Sequence, residues 1–214
     1  MAGPSSLKPV LIVVAGPNGS GKTTVTRRLR DDHWSVGVEY INPDEIARDR
    51  FGDWNSPAAI SSAVRWANDR REELLSTRSG IAFETVLSAP DKLEFIERAR
   101  SAGYFVRAFF VGTRDPVINA ARVARRVMEG GHTVPLEKIL SRYVRSLVNL
   151  QVLSVLAHRT YVFDNSVDDS DASLCVRLVD GSLRKVYCPL PTWIATAVGG
   201  LPRDERFEDL SAAQ

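Results

Sequence analysis

Eight consecutive residues, Gly16-Pro17-Asn18-Gly19-Ser20-Gly21-Lys22-Thr23, satisfy the spacing GxxxxGK[ST] directly after the apolar run Val10 to Ala15. A buried strand, a glycine-rich turn and a helix-forming stretch from Thr24 to Arg30 together make a phosphate-binding loop. The glycines let the main chain curl so that successive N–H groups converge on one anion. A helix opening near Lys22 adds the positive end of its dipole. Lys22 then reaches the β- and γ-phosphates, and the Thr23 hydroxyl can ligate Mg²⁺. The expected ligand is a nucleoside triphosphate.

Transferring its terminal phosphoryl group to an alcohol needs a carboxylate to accept a proton, and usually another to hold Mg²⁺ through its water shell. Ligands of open α/β sheets sit beyond the carboxyl ends of the strands, so strand ends are the place to look. Asp44 ends the second apolar stretch and Glu84 lies near the end of the third. Asp44 could instead cap the helix that Glu45-Ile46-Ala47 begins. Glu84 could be a structural carboxylate, although a charge inside an apolar strand is costly without a partner. A third group is cationic. Helical spacing puts Arg122, Arg125 and Arg126 beside a face made of Val117, Ala121, Ala124 and Met128. The next helix buries Leu136, Ile139, Leu140, Tyr143, Leu147 and Leu150 and leaves Arg142, Arg145 and Asn149 outside. Between them, Glu129 to Pro135 has the glycines of a hinge, which would let the two helices close as a lid over the phosphate loop. The same arginines could equally be two solvated helix faces. His132 fits a lid contact better than a metal ligand or base.

The elements that must position these groups alternate strand and helix, the mark of a mostly parallel sheet flanked by helices on both faces. A helix opens at Ser56-Pro57 and runs to about Arg78, and Ile81 to Leu87 is a central strand. Asp91 to Ala102 is a helix, Tyr104 to Val111 a strand, Asp115-Pro116 a helix start, and Pro135 to Ala157 a longer helix. Thr160 to Phe163 is the last buried strand of that series. A small C-terminal hairpin turns at Asp180-Gly181-Ser182. A turn on Gly181-Ser182 sets Cys175 opposite Cys188, and one on Asp180-Gly181 sets them diagonally. Arg203 to Gln214 reads as a polar, fraying tail. At 214 residues, 44% hydrophobic, with 28 basic and 26 acidic side chains, the chain fits one domain over residues 1–214 with no global pull toward nucleic acid or membrane. Its lid would span about 116–150, and its hairpin and tail about 170–214. No apolar run approaches the ~20 residues of a membrane span, and the lead Met1 to Ser6 is not a signal peptide. A cytoplasmic protein with two free thiols is expected.

The ordered blocks Gly16 to Thr24, Asn42-Pro43-Asp44-Glu45-Ile46-Ala47 and Phe83-Glu84-Thr85-Val86-Leu87-Ser88 resemble the zeta-toxin family of P-loop kinases, especially its short bacterial members. Ala121 to Val127, Gly130 to Pro135, Arg142 to Leu150 and Asp164-Asn165-Ser166 continue the likeness. The resemblance implies a kinase that uses ATP or GTP with Mg²⁺ to phosphorylate a hydroxyl of a UDP-activated sugar such as UDP-N-acetylglucosamine. It implies Asp44 as catalytic base, Glu84 as the carboxylate beside the acceptor, and Thr85 as a neighbour of the sugar. Arg122 and Arg126 would be phosphate-contacting lid arginines. Arg142 and Arg145 would touch acceptor diphosphate or nucleotide, and Asn165 the nucleotide base. An antitoxin protein is a possible partner. Arg48 to Arg78 carries no motif of the family.

Two other readings stay open at this level. One is a kinase of another small hydroxyl compound: a nucleoside, a sugar acid or an antibiotic. The other is a nucleotide-dependent binding module with no acceptor. No NKxD guanine motif is present, and Asp49-Arg50-Phe51-Gly52 fits DxxG without the strand that should precede it. No aromatic stacking platform suggests nucleic acid.

Overall fold

The computed structural model describes residues 8–30, 35–51, 56–130 and 134–211. The expected hinge residues Gly131, His132 and Thr133 lie outside the described residues, as do Gly52 and the lead Met1 to Ser6.

Strand β1 (Val10–Ala15) runs into helix α1 (Lys22–Arg30), followed by β2 (Val38–Ile41), α2 (Pro43–Phe51), α3 (Pro57–Ser76) and β3 (Gly80–Thr85). Next come α4 (Pro90–Ser101), β4 (Phe105–Gly112), α5 (Pro116–Met128), α6 (Leu136–Leu156) and β5 (Arg159–Asp164). The chain ends with β6 (Ser173–Val179), β7 (Ser182–Val186), α7 (Thr192–Val198) and β8 (Arg203–Asp209). All eight strands form one sheet in the order β2-β3-β1-β4-β5-β6-β7-β8. The first five in that order are mutually parallel, as expected for a P-loop kinase fold.

Helix starts follow the capping chemistry in the sequence. The Ser56 hydroxyl accepts from Ala59 N ahead of Pro57, and the Asp115 carboxylate accepts from Val117 N ahead of Pro116. The two sheet faces are covered unequally. Leu11, Val13, Phe83, Phe110 and Val162 pack on one side against α3, α4, α6 and α7, through side chains such as Leu74, Phe95, Leu150 and Ile194. On the other side Ile12, Val14, Phe109 and Val111 meet Val25 and Leu29 of α1. Leu150 and Leu153 are fully buried, so the second half of α6 belongs to the core. The Val117–Met128 side of α5 points outward, at 66% and 82% exposure, while Asn119 and Val123 face in.

The C-terminal hairpin is not a separate feature. β6 pairs antiparallel with β5, so the hairpin extends the main sheet. Its turn is Asp180-Gly181, both at positive φ (45° and 80°), with Val179 opposite Ser182. A register shift between Arg177 and Leu178 then brings the Tyr187 N–H to the Cys175 carbonyl, and the two cysteine side chains become neighbours. Both are free thiols, and burial pushes that of Cys175 up to about 12. The segment expected to fray, Arg203 to Gln214, instead contains β8, paired parallel to β7. Cross-strand ion pairs (Arg184–Asp204 and Lys185–Glu208) and the packing of Phe207 on the core compensate for its seven-residue run of mostly charged side chains. No helix among the described residues is long and apolar enough to cross a membrane.

Candidate active site

The registers Ala15↔Thr85 and Ile41↔Phe83 align the carboxyl ends of β1, β3 and β2. Three loops therefore open on one cleft of about 460 Å³: the phosphate loop, the Asn42–Asp44 turn and the end of β3. α5 closes it from the side with Arg122, Val123 and Arg126.

The phosphate loop is held in shape from two directions. Asn119 of α5, fully buried, donates from Nδ2 to the Asn18 carbonyl at 2.6 Å and accepts from the Thr113 hydroxyl. Asn165, just past β5, donates from its amide to the Ser20 carbonyl at 2.8 Å. Both approaches need glycine. Gly19 and Gly21 sit at φ of 73° and 90°, and a Cβ would strike the Asn119 carbonyl oxygen at the first and the Asn165 amide at the second. Lys22 lies half-buried and donates from Nζ to the Gly16 and Pro17 carbonyls at 2.9 and 2.8 Å. Burial lowers its ammonium to about 8; Arg126 pushes the same way, while Glu84 and Asp44 oppose the drop.

The carboxylates are arranged by a chain of hydrogen bonds. Asn42, not Asp44, caps α2: its Oδ1 accepts from Asp44 N at 2.9 Å, and its carbonyl accepts from Ile46 N. The Asp44 side chain is therefore spared that duty and lines the cleft. Asn42 also donates to the Tyr40 hydroxyl at 3.1 Å, and Tyr40 donates to Glu84 Oε1 at 2.9 Å. Glu84 Oε2 accepts from the Thr23 hydroxyl at 3.3 Å. Burial, reinforced by Glu84, drives the Tyr40 phenol far above its ordinary range, so Tyr40 stays a proton donor. Thr85 uses its hydroxyl to accept from Leu87 N at 2.9 Å and its carbonyl to accept from Gly16 N. Leu87 is buried at φ 57°, a left-handed backbone, and its carbonyl accepts from Asn149 of α6 at 2.8 Å.

The arginines divide. Arg126 lines the cleft and bears on Lys22 electrostatically. Arg122 also lines it, tethered at 2.8 Å from Nε to Asp168 and at 2.9 Å from Nη1 to the Asn165 carbonyl. That pairing lowers the Asp168 carboxyl. Arg142 and Arg145 are absent from the lining, and Arg145 turns back on the Ser141 carbonyl of its own helix. Asn165 likewise serves the loop from outside the lining. Two contributors escape a reading by sequence alone. Tyr40 sits in an apolar stretch, and Asn119 reads as one more polar residue of an amphipathic helix; its spacing of four from Val123 was the available signal.

No cluster of three or more His, Cys, Asp or Glu side chains among the described residues forms a metal cage. The donor set still suits Mg²⁺, which takes one or two protein oxygens plus phosphate and water. Thr23 and Glu84 supply hard oxygens beside the phosphate loop.

Comparison with known proteins follows the same lines. The structure of AvrRxo1-ORF1:AvrRxo1-ORF2 with sulphate ions aligns at TM-score 0.64 and 17% identity, covering 83% of this chain and 61% of the other. The same complex with ATP gives 0.63 and 17%, over 83% of this chain and 60% of that one. This chain thus spans about three-fifths of those relatives. The PezAT chromosomal toxin–antitoxin system of Streptococcus pneumoniae aligns at 0.58 and 18%, covering 82% and 74%. At these identities the likeness is one of fold. In sequence, an uncharacterized Haemophilus influenzae protein is 29% identical over 132 residues, 62% of this chain and 91% of that protein. A uridine kinase of Deinococcus deserti is 48% identical over 44 residues, 21% of each chain. The sequence model of the Zeta toxin family matches residues 2–171, so the chain belongs to that family.

Proposed function

We propose that the enzyme moves the γ-phosphoryl group of ATP or GTP onto a hydroxyl of a UDP-activated sugar, UDP-N-acetylglucosamine being the first candidate. The observation that carries this reading is the convergence of Lys22, Thr23, Asp44, Glu84 and Arg126 on one cleft. Residues Gly16 to Thr24 bind the triphosphate through main-chain N–H groups, and Lys22 exchanges its carbonyl partners for β- and γ-oxygens. Asp44 accepts the proton of the attacking alcohol, because it lines the cleft while Asn42 takes the capping of α2. Glu84, oriented by Tyr40, positions the acceptor with Thr85. Thr23, with Glu84, would hold Mg²⁺, which neutralises phosphate charge when bound. Arg126 and Arg122 stabilise charge on the transferring group. Arg142 and Arg145 would reach substrate only through movement of the first turns of α6. The cytoplasm, where nucleotides and nucleotide sugars are held, is the compartment this chemistry requires. The PezAT likeness supports an antitoxin as protein partner.

Incubation with γ-labelled ATP, Mg²⁺ and a panel of UDP-sugars, nucleosides and sugar acids should label a UDP-sugar. Label on a nucleoside alone would favour the second reading, a kinase of another small hydroxyl compound. Asp44→Asn should leave nucleotide affinity intact and slow transfer by about 10²–10⁴-fold. Wild-type transfer by this variant would end the assignment of Asp44 as base.

A further inference from the structure

Arginines gather at the end of the sheet where β5 and β8 begin. Arg159 opens β5, Arg203 opens β8, and Arg177 of β6 stands opposite Tyr161 of β5 and Lys185 of β7. With Arg184 and Arg206 they line a cavity of about 560 Å³. Among the described residues the carboxylates in its wall are Asp204 and Glu205. Asp204 is already paired with Arg184. Arg159 donates to the His158 carbonyl and Arg203 stacks over Phe207; among the described residues no carboxylate forms a close ion pair with Arg159, Arg177, Arg203 or Arg206, and Glu208, Asp209 and Asp204 act on Arg177, Arg203 and Arg206 only at longer range. The Nε–H groups of Arg177 and Arg184 are buried with no acceptor among the described residues. Enclosed guanidinium donors without acceptors are costly, and their planar forks match phosphate oxygens. β5, β7 and β8 all begin at this cavity, so it lies at the opposite end of the sheet from the cleft where β1, β2 and β3 finish.

We propose that this cavity is a second anion site, separate from the catalytic cleft, that binds a polyphosphate group: inorganic tripolyphosphate or the phosphate tail of a nucleotide. Five guanidiniums against two wall carboxylates around one cavity favour a ligand with adjacent phosphates over a single sulfate-sized anion. The test is calorimetric titration of inorganic tripolyphosphate into the full chain, its Lys22→Ala variant, and an Arg203→Ala/Arg206→Ala variant. Both altered arginines are exposed, so folding should be undisturbed. Tripolyphosphate should bind the Lys22→Ala protein, weaken steeply with added salt, and lose at least tenfold in affinity in the double-arginine variant. An Arg203→Lys/Arg206→Lys variant should lose less than the alanine pair. Competition by ATP in the Lys22→Ala background would identify the nucleotide tail as the source; no competition would identify the free anion. Equal affinity for sulfate, or tripolyphosphate affinity unchanged by the arginine substitutions, would overturn the proposal.

Discussion

Replacing Asn119 with alanine tests whether α5 shapes the phosphate loop or merely lies beside it. The side chain is fully buried and makes two hydrogen bonds, one to the Asn18 carbonyl at 2.6 Å and one from the Thr113 hydroxyl. Thr113 can fall back on the Asp115 carbonyl at 3.3 Å, whereas the Asn18 carbonyl is left without its partner. With Thr113 re-partnered, one net bond at about 1 kcal/mol and a stranded acceptor at about 1–3 kcal/mol give a loss of roughly 2–4 kcal/mol. For a chain of this size that lowers Tm by roughly 5–15 °C, measurable by calorimetric melting. The functional consequence is separable. Asn119→Ala frees the Asn18–Gly19 bend and should weaken ATP binding by about tenfold, near 1.4 kcal/mol. Thr113→Val removes the bond behind Asn119 and the longer one to the Asp115 carbonyl but spares the bond to Asn18, so it should cost stability and leave ATP affinity nearly unchanged. Equal loss of ATP affinity in the two variants would refute the reasoning, as would an Asn119→Ala protein that melts and binds like the wild type.

Tyr40→Phe deletes the hydroxyl that orients Glu84, a bond to a charged acceptor worth about 1.5–3 kcal/mol, so transfer should fall roughly 10- to 100-fold with ATP affinity preserved. Steady-state kinetics with turnover at the wild-type level would remove Tyr40 from the site. Lys22, lowered to about 8, is charged below that pH and neutral above it. A bound triphosphate raises its pKa again, so binding above pH 8 must take up a proton, and affinity should fall by up to tenfold per pH unit there. Calorimetry in buffers of different ionisation enthalpy measures that uptake; affinity independent of pH between 8 and 9.5 would contradict it.

What could be read in advance depended on how far apart the partners lie along the chain. The phosphate loop is contiguous, so its glycines, Lys22 and Thr23 declare themselves. Asp44 and Glu84 stand out because strand ends are where ligands sit. Asn119 meets Asn18 across 101 positions and Tyr40 meets Glu84 across 44, and no local pattern encodes either pair. Strand β8 was hidden for a different reason. Arg-Asp-Glu-Arg-Phe-Glu-Asp carries a single apolar residue, Phe207, and only the facing β7 supplies the partners that make it a strand. The short α7 behind Pro191 offers too little periodicity in seven residues to mark a helix, although Trp193 and Ile194 anchor it in the core.

Leu87 couples the end of β3 to α6. A left-handed backbone at a buried leucine costs about 1–3 kcal/mol. It is sustained here by two clasps, the Thr85 hydroxyl from within the turn and the Asn149 amide from α6. Undocking that stretch of α6 would open the second clasp, and the turn could relax toward ordinary dihedrals, carrying Thr85 and Glu84 with it. Any displacement of that stretch of α6 would therefore be felt at the carboxyl end of β3, more than sixty positions away along the chain.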